Sequence, residues 1–247
     1  MNLFFDAIAW ILDPVNWTGA GSIPDRIVQH LAVSGAVLLI AAAIALPLGG
    51  VVGHTGRGKN LAVMVSGGLR ALPTLGLLTL FGIWIGIGLT APVIALVILA
   101  IPPLLAGAYA GFESVDRRTV DAARAVGMRE SQIVGKVELP LGMPIVVGGI
   151  RSATLQIIAT ATLAAYIADE GLGRFIFEGL KTRDYPEMLG GSILVIILAL
   201  VVDGAFALTQ RVVVPAGVRA SRTRELRSRP TRSRTVVGRP IHEGNRQ

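Results

Sequence analysis

The sequence predicts an all-α protein, a polytopic membrane bundle of about five transmembrane helices. Three observations predict it. The 247 residues are 52% hydrophobic and only 16% charged, where a soluble domain carries about 25% charged residues. The apolar residues gather in runs long enough to cross a bilayer, which takes roughly 20 residues at about 1.5 Å each. The Lys and Arg fall mostly in every second connection between those runs.

In chain order, Leu3, Phe4, Phe5, Ile8, Trp10 and Ile11 suit either a short interfacial helix, because aromatic residues favour the membrane boundary, or a frayed terminus. The segment has no basic start and Asp6 interrupts its apolar run, so it does not read as a cleavable signal. Residues 1–30 form an N-terminal segment outside the membrane domain, which is expected over 31–211. Leu31–Gly53 and Ala91–Gly111 are uncharged spans. Gly142–Ala168 contains one charge, Arg151, and Gly190–Thr209 contains one, Asp203. Leu61–Leu89 is a fifth, longer run that carries Arg70. The paired glycines Gly49-Gly50, Gly67-Gly68 and Gly148-Gly149 read as close-packing positions between helices. Pro47, Pro73, Pro102, Pro103 and Pro144 are each expected to break the helical hydrogen-bond ladder.

The 54–60 turn, the 112–141 loop and the segment from Arg211 hold two, five and ten Lys or Arg. The N-terminal segment, the turn at residue 90 and the 169–189 loop hold one, none and three. This bias orients the N-terminus outside and the C-terminus in the cytoplasm of a multi-pass protein of the plasma (inner) membrane. Residues 212–247 hold nine Arg and two Glu, which is the whole net charge of +7. That Arg/Ser/Pro-rich tail is expected to be disordered and to lie on anionic lipid headgroups. Nucleic acid is not needed to explain the charge.

Several function classes are excluded. No Cys is present, and His30, His54 and His242 are far apart, so no metal site is expected. No cofactor and no catalytic set is expected, and the chain does not read as an enzyme. Gly53 to Asn60 nearly spells a phosphate-binding loop, but Asn60 stands where a hydroxyl must bind Mg²⁺, and a span precedes it instead of a strand. The three Trp, three Tyr and seven Phe are scattered, with no run that makes an aromatic box for a cation.

The 112–141 loop carries the strongest signal. Asp121 to Val126 reads as a short helix with Val120, Ala123 and Val126 on one face. Gly127 fits a residue that ends a helix at positive φ. A second short helix through Ile133, Val134 and Val137 leads to Pro140 in the first turn of the next span. A helix–turn–helix of this kind either docks into a groove on a cytoplasmic partner or is a plain connection with two interfacial helices. Within the spans, an ionised group costs roughly 2.5–3.5 kcal/mol unless it finds a partner or water. Arg70, Arg151 and Asp203 lie at similar depth near the cytoplasmic ends: either Asp203 pairs with one of the two arginines and the set lines or latches an inner gate, or the helices protrude and leave the charges at the wet interface.

These residues resemble a known family. Asp121-Ala122-Ala123, Gly127 after three residues, and Val137-x-Leu139-Pro140 after nine more match the "EAA" loop of binding-protein-dependent ABC transporter permeases, with Asp for Glu and Val for Ile. Arg70-Ala-Leu-Pro73-Thr74, Gly148 to Ala153, Ala161 to Ala165, and Gly171, Gly173 and Gly179 resemble the glycine betaine/carnitine/choline branch, over roughly residues 30–215. The resemblance implies a MetI-like importer permease fold in which the loop couples to an ABC ATPase subunit, where ATP hydrolysis takes place. It also implies a second permease subunit, identical or paralogous, and an extracytoplasmic solute-binding protein. The solute would be an osmoprotectant of the glycine betaine, choline or carnitine type. Other solutes, an amino acid such as methionine or an organic anion, stay open. A secondary transporter driven by an ion gradient is a more distant reading.

Overall fold

A computed structural model of the chain describes residues 2–213, with side chains through residue 210. The expected disorder and lipid contact of the tail lie outside the described residues. Every regular element among those described is helical. The N-terminal helix α1 (Leu3–Leu12) is followed by a 3₁₀ turn over Pro14–Trp17. Helix α2 runs over Ile23–Thr55, so the first long helix starts well before the apolar run at Leu31. It begins with Pro24 in its first turn, where a missing N–H costs nothing, and ends on Gly56 at φ 69°.

The fifth apolar run is not a single span. It divides into α3 (Lys59–Arg70) and α4 (Thr74–Ile85), bent by 82° at Ala71–Pro73. Pro73 occupies the N-cap of α4 in an extended conformation, and the residue before a proline is itself pushed out of the α region. The other prolines interrupt the hydrogen-bond ladder inside helices that continue past them. Pro47 lies within α2, Pro102 and Pro103 within α5 (Thr90–Glu113), and Pro144 within α8 (Leu139–Ala161). Four helices are thus long and apolar enough to cross a membrane, or five if the bent pair counts as one.

Between α5 and α8 lie α6 (Arg117–Ala125), α7 (Glu130–Ile133) and a π-helical turn over Val134–Glu138 that runs into α8 without a break. After α8 come a 3₁₀ turn, α9 (Ala165–Ala168), α10 (Gly173–Thr182) and α11 (Tyr185–Val213).

Helix α5 is the centre of the bundle, packed by α2, α8, α3 and α4. Its core with α2 and α8 is small and aliphatic: Val37, Ala41, Ala45, Leu96, Ala100, Leu104, Ala153 and Ile157. Glycine sets the spacing. A Cβ on Gly107 would lie 2.5 Å from Gly149 Cα, and one on Gly49 would lie 2.6 Å from Ala108 Cβ. Backbones this close gain dispersion contacts that lipid cannot replace. A second core joins Ile11, Ile23, Ile158, Leu172, Phe175 and Leu194, and so holds α1 and α10 against α11. Leu39, Ile83, Leu200 and Val201 point outward, as expected of helices whose exterior meets hydrocarbon.

Candidate functional site

The 112–141 loop folds over a core of its own. Asp116 caps α6 by accepting the Arg118 N–H at 2.9 Å. The turn after α6 is a Schellman motif. Gly127 N–H donates to Arg124 O at 2.9 Å, Met128 N–H donates to Ala123 O at 3.1 Å, and Gly127 has φ 87°. Val115, Val120, Ala123 and Ile133 are buried together, with Met128 and Val137 packed against them. The expected apolar face is corrected in one place. Val126 is 79% exposed, because the helix ends there and the turn swings it away. Ala123 faces inward, so the surface left open to a partner is Asp121, Ala122, Ala125 and Val126.

Polar contacts fix this unit to the membrane bundle. Arg124 donates to Glu130 through Nε (2.7 Å) and Nη2 (3.1 Å) and to Asp121 through Nη1 (3.1 Å). These carboxylates hold the guanidinium above its ordinary pKa. Arg117 donates to the carbonyls of His54 (3.1 Å) and Gly53 (3.2 Å), the last residues of α2. His54 sits between two carboxylates, with Nδ1 2.5 Å from Glu138 Oε2 and Nε2 3.1 Å from Glu130 Oε2. Glu138 is fully buried in the π turn, and its other oxygen has no hydrogen-bond partner. Leu139 and Pro140 follow in the first turn of α8, half-buried.

The sequence did not single out His54 and Glu138. They are 84 positions apart, and nothing local pairs them. The one available signal was an acidic residue between Val137 and Leu139 at the head of an apolar run, where a carboxylate has to find a cation or a donor.

The expected inner-gate set divides. Arg151 and Asp203 form a bidentate pair between α8 and α11, with Nε to Oδ1 and Nη2 to Oδ2 both at 2.6 Å. Parallel N–H···O bonds of this kind are the strong form of the interaction. Arg70 is elsewhere. It ends α3 at the elbow with Pro73 and Thr74, has no ion pair among the described residues, and lines a cavity of about 270 Å³ with Ser66, Leu105 and Tyr109. Beside it, Lys59 pairs with Glu113 at 2.8 Å and lies 5.4 Å from the centre of the Tyr109 ring.

The outer-loop glycines are close-approach positions. Gly171 (φ 77°) donates its N–H to Gln29 Oε1 at 3.1 Å, and a Cβ there would lie 3.0 Å from His30 Nδ1. A Cβ on Gly179 would lie 2.6 Å from Asp184 O, and one on Gly173 would strike the Thr162 carbonyl. His30 is buried, with Nε2 3.0 Å from Ile158 O and Nδ1 3.3 Å from Leu172 N. A neutral ring protonated at Nε2 satisfies both contacts. Asp169 takes the left-handed conformation (φ 58°), pairs with Arg174, and accepts Arg26 Nη1 at its carbonyl at 2.5 Å. The loop is thus clipped to the start of α2.

Known proteins resemble this chain over most of its length. Residues 27–216 match the family described as "Binding-protein-dependent transport system inner membrane component". The chain is 32% identical over 201 residues to the choline transport system permease protein OpuBB of Bacillus subtilis, covering 81% of this chain and 93% of that one. It is 34% identical over 194 residues to the carnitine transport permease protein OpuCB of Listeria monocytogenes (78% and 89%). It is 30% identical over 222 residues to the osmoprotectant import permease protein OsmW of Salmonella typhimurium (87% and 100%). Among solved structures, inward-facing conformations of the MetNI methionine ABC transporter superpose with a TM-score of 0.69 at 21% identity, over 82% of this chain and 99% of that one. That likeness concerns the fold.

Proposed function

The chain belongs to the family of binding-protein-dependent transport system inner membrane components, and on that premise we propose that it is the membrane-spanning subunit of an ATP-driven importer for a quaternary ammonium osmoprotectant of the choline, carnitine or glycine betaine type. The observation that carries the reading is the 112–141 loop. It has its own buried core, leaves Asp121, Ala122, Ala125 and Val126 exposed, and is joined to α2 and α8 by the His54–Glu138 contact and the Arg117 bonds. A unit built this way transmits a push on its outer face to the helices without collapsing. The push would come from an ABC ATPase subunit in which ATP is hydrolysed. The permeases of choline and carnitine named above supply the solute class.

In this reading the loop is cytoplasmic, the N-terminus lies outside and the C-terminus inside, in keeping with the Lys/Arg bias. A second permease subunit completes the pathway, and an extracytoplasmic binding protein delivers the solute. The Arg151–Asp203 pair and the elbow at Arg70, Pro73 and Thr74 are the pathway elements. The pair latches α8 to α11 at the inner end, and the 82° bend lets α3 and α4 move separately. The test is uptake into proteoliposomes by the assembled transporter with its binding protein, using labelled choline, carnitine, glycine betaine and methionine. Uptake of at least one quaternary amine, and none of methionine, is expected. Uptake of methionine alone would overturn the solute assignment.

A further inference from the structure

A further cavity lies far from the 112–141 loop, between α9 and α10 past the end of α8. It measures about 440 Å³, within the roughly 300–1,000 Å³ usual for small-molecule sites. Its wall is built by helical spacing. Arg174, Phe177, Glu178 and Lys181 stand at i, i+3, i+4 and i+7 and so share one face of α10. Tyr166 comes from α9 and brings its ring to 5.5 Å, centre to centre, from Phe177, at an interplanar angle of 53°. The two rings make an open corner. Two of the aromatics that are scattered in the sequence thus meet here in space.

The polar groups are arranged unequally. Glu178 is taken by Arg174, whose Nε lies 2.6 Å from its carboxylate, and Arg174 also pairs with Asp169. Lys181 has no ion pair among the described residues. The cavity thus offers an aromatic corner, one compensated ion pair and one free ammonium. Aromatic faces attract a quaternary ammonium within about 6 Å of the ring centre. A free ammonium attracts a carboxylate. Tyr166 is 59% exposed and lies outside the buried cores, so packing does not account for its position.

We propose that this cavity is a low-affinity receiving site of the permease for a quaternary ammonium carboxylate, with the trimethylammonium group against Tyr166 and Phe177 and the carboxylate on Lys181. The inference rests on the proposed function and adds a discrimination to it. A zwitterion such as glycine betaine uses both ends of the cavity, and choline, which lacks the carboxylate, uses one. In the proposed orientation the cavity lies on the outer side, where a binding protein releases its cargo.

The test is equilibrium binding of labelled glycine betaine and choline to the assembled permease–ATPase complex in lipid nanodiscs, without the binding protein. Uptake by the same complex, with the binding protein added, is measured in parallel. Saturable binding of glycine betaine is expected, tighter than that of choline. Tyr166→Leu and Phe177→Leu each weaken it about fivefold or more, the size of a partly desolvated cation–π contact. Tyr166→Phe, which keeps the ring face, stays within about twofold. Lys181→Gln removes the preference for glycine betaine over choline. If the wild-type complex transports a quaternary amine yet binds none itself, or if the leucine variants bind like wild type, the cavity is not the site. If those variants weaken only the docking of the loaded binding protein, the aromatic pair is a protein contact and the proposal fails. Absence of both binding and quaternary-amine uptake overturns the proposed function along with it.

Discussion

Replacing His54 with Leu tests how the loop is fixed to the bundle. Glu138 is 0% exposed, and the His54 side chain is 14% exposed. One Glu138 oxygen already lacks a hydrogen-bond partner, so losing His54 leaves the carboxylate with none. Leaving a buried carboxyl group with no hydrogen-bond partner costs about 1–3 kcal/mol of desolvation. Glu130 also touches His54, but its side chain is 56% exposed and water replaces that contact. Nearly the whole loss therefore passes through Glu138. The diagnostic is the double variant His54→Leu/Glu138→Leu, which leaves no unpartnered polar group and fills the space with apolar ones. It should be more stable than His54→Leu alone, since replacing both partners of a hydrogen bond by apolar groups of similar shape can be nearly neutral. Stability is read from the unfolding midpoint of the detergent-solubilised protein, and coupling from ATP hydrolysed per solute imported. The single variant should unfold earlier and waste ATP. A double variant less stable than the single one, with losses that merely add, would refute this account of the buried pair.

Gly127 has open space around it and φ 87°, so only the backbone resists substitution. Gly127→Val should cost about 1–2 kcal/mol and lower uptake, while Gly127→Asn, which tolerates the left-handed region, should keep most of it. Equal uptake by the two variants would argue against the Schellman turn as the reason for glycine. Gly107→Ala forces a Cβ against Gly149 and should destabilise by about 1–3 kcal/mol, whereas the nearest atom to a Cβ on Gly148 is Gln210 Nε2 at 4.0 Å. Gly148→Ala should therefore melt within a degree or two of wild type in a side-by-side thermal scan, and Gly107→Ala well below it. Asp203→Asn should reduce uptake several-fold, and the exchange Arg151→Asp/Asp203→Arg should recover part of it. No recovery in vesicle uptake would mean that the position of each charge matters, and not the latch between them.

Much of the fold was readable from the chain because membrane helices announce themselves by length and apolarity. The four long helices follow that rule, and Gly127 and Pro140 mark their turns as their backbone preferences require. The Arg151–Asp203 pair was half-readable. Two intramembrane charges need a partner, but the choice between Arg70 and Arg151 depends on which helices touch. Other features were beyond local pattern. The run Leu61–Leu89 looked like one span because hydropathy ignores direction, and the 82° bend comes from the restriction that Pro73 puts on the residue before it. Pro47, Pro102, Pro103 and Pro144 stay inside helices because tertiary packing outweighs one lost hydrogen bond in each. Val126 shared a helical face with Val120 and Ala123 only if the helix continued, and the Schellman turn ends it. The His54–Glu138 contact and the Tyr166–Phe177 corner join segments whose nearness is a property of the packed bundle.

The energy source separates an ABC permease from an ion-coupled transporter. Proteoliposomes holding the complete transporter, with binding protein outside and ATP inside, measure it directly when labelled glycine betaine or choline uptake is followed with all ion gradients collapsed. Uptake should continue without gradients, stop when ATP hydrolysis is blocked, and fall sharply when a charge is placed at Ala122 or Ala125 on the exposed face of α6. Uptake that persists with hydrolysis blocked and follows an imposed ion gradient would contradict the ATP-driven reading.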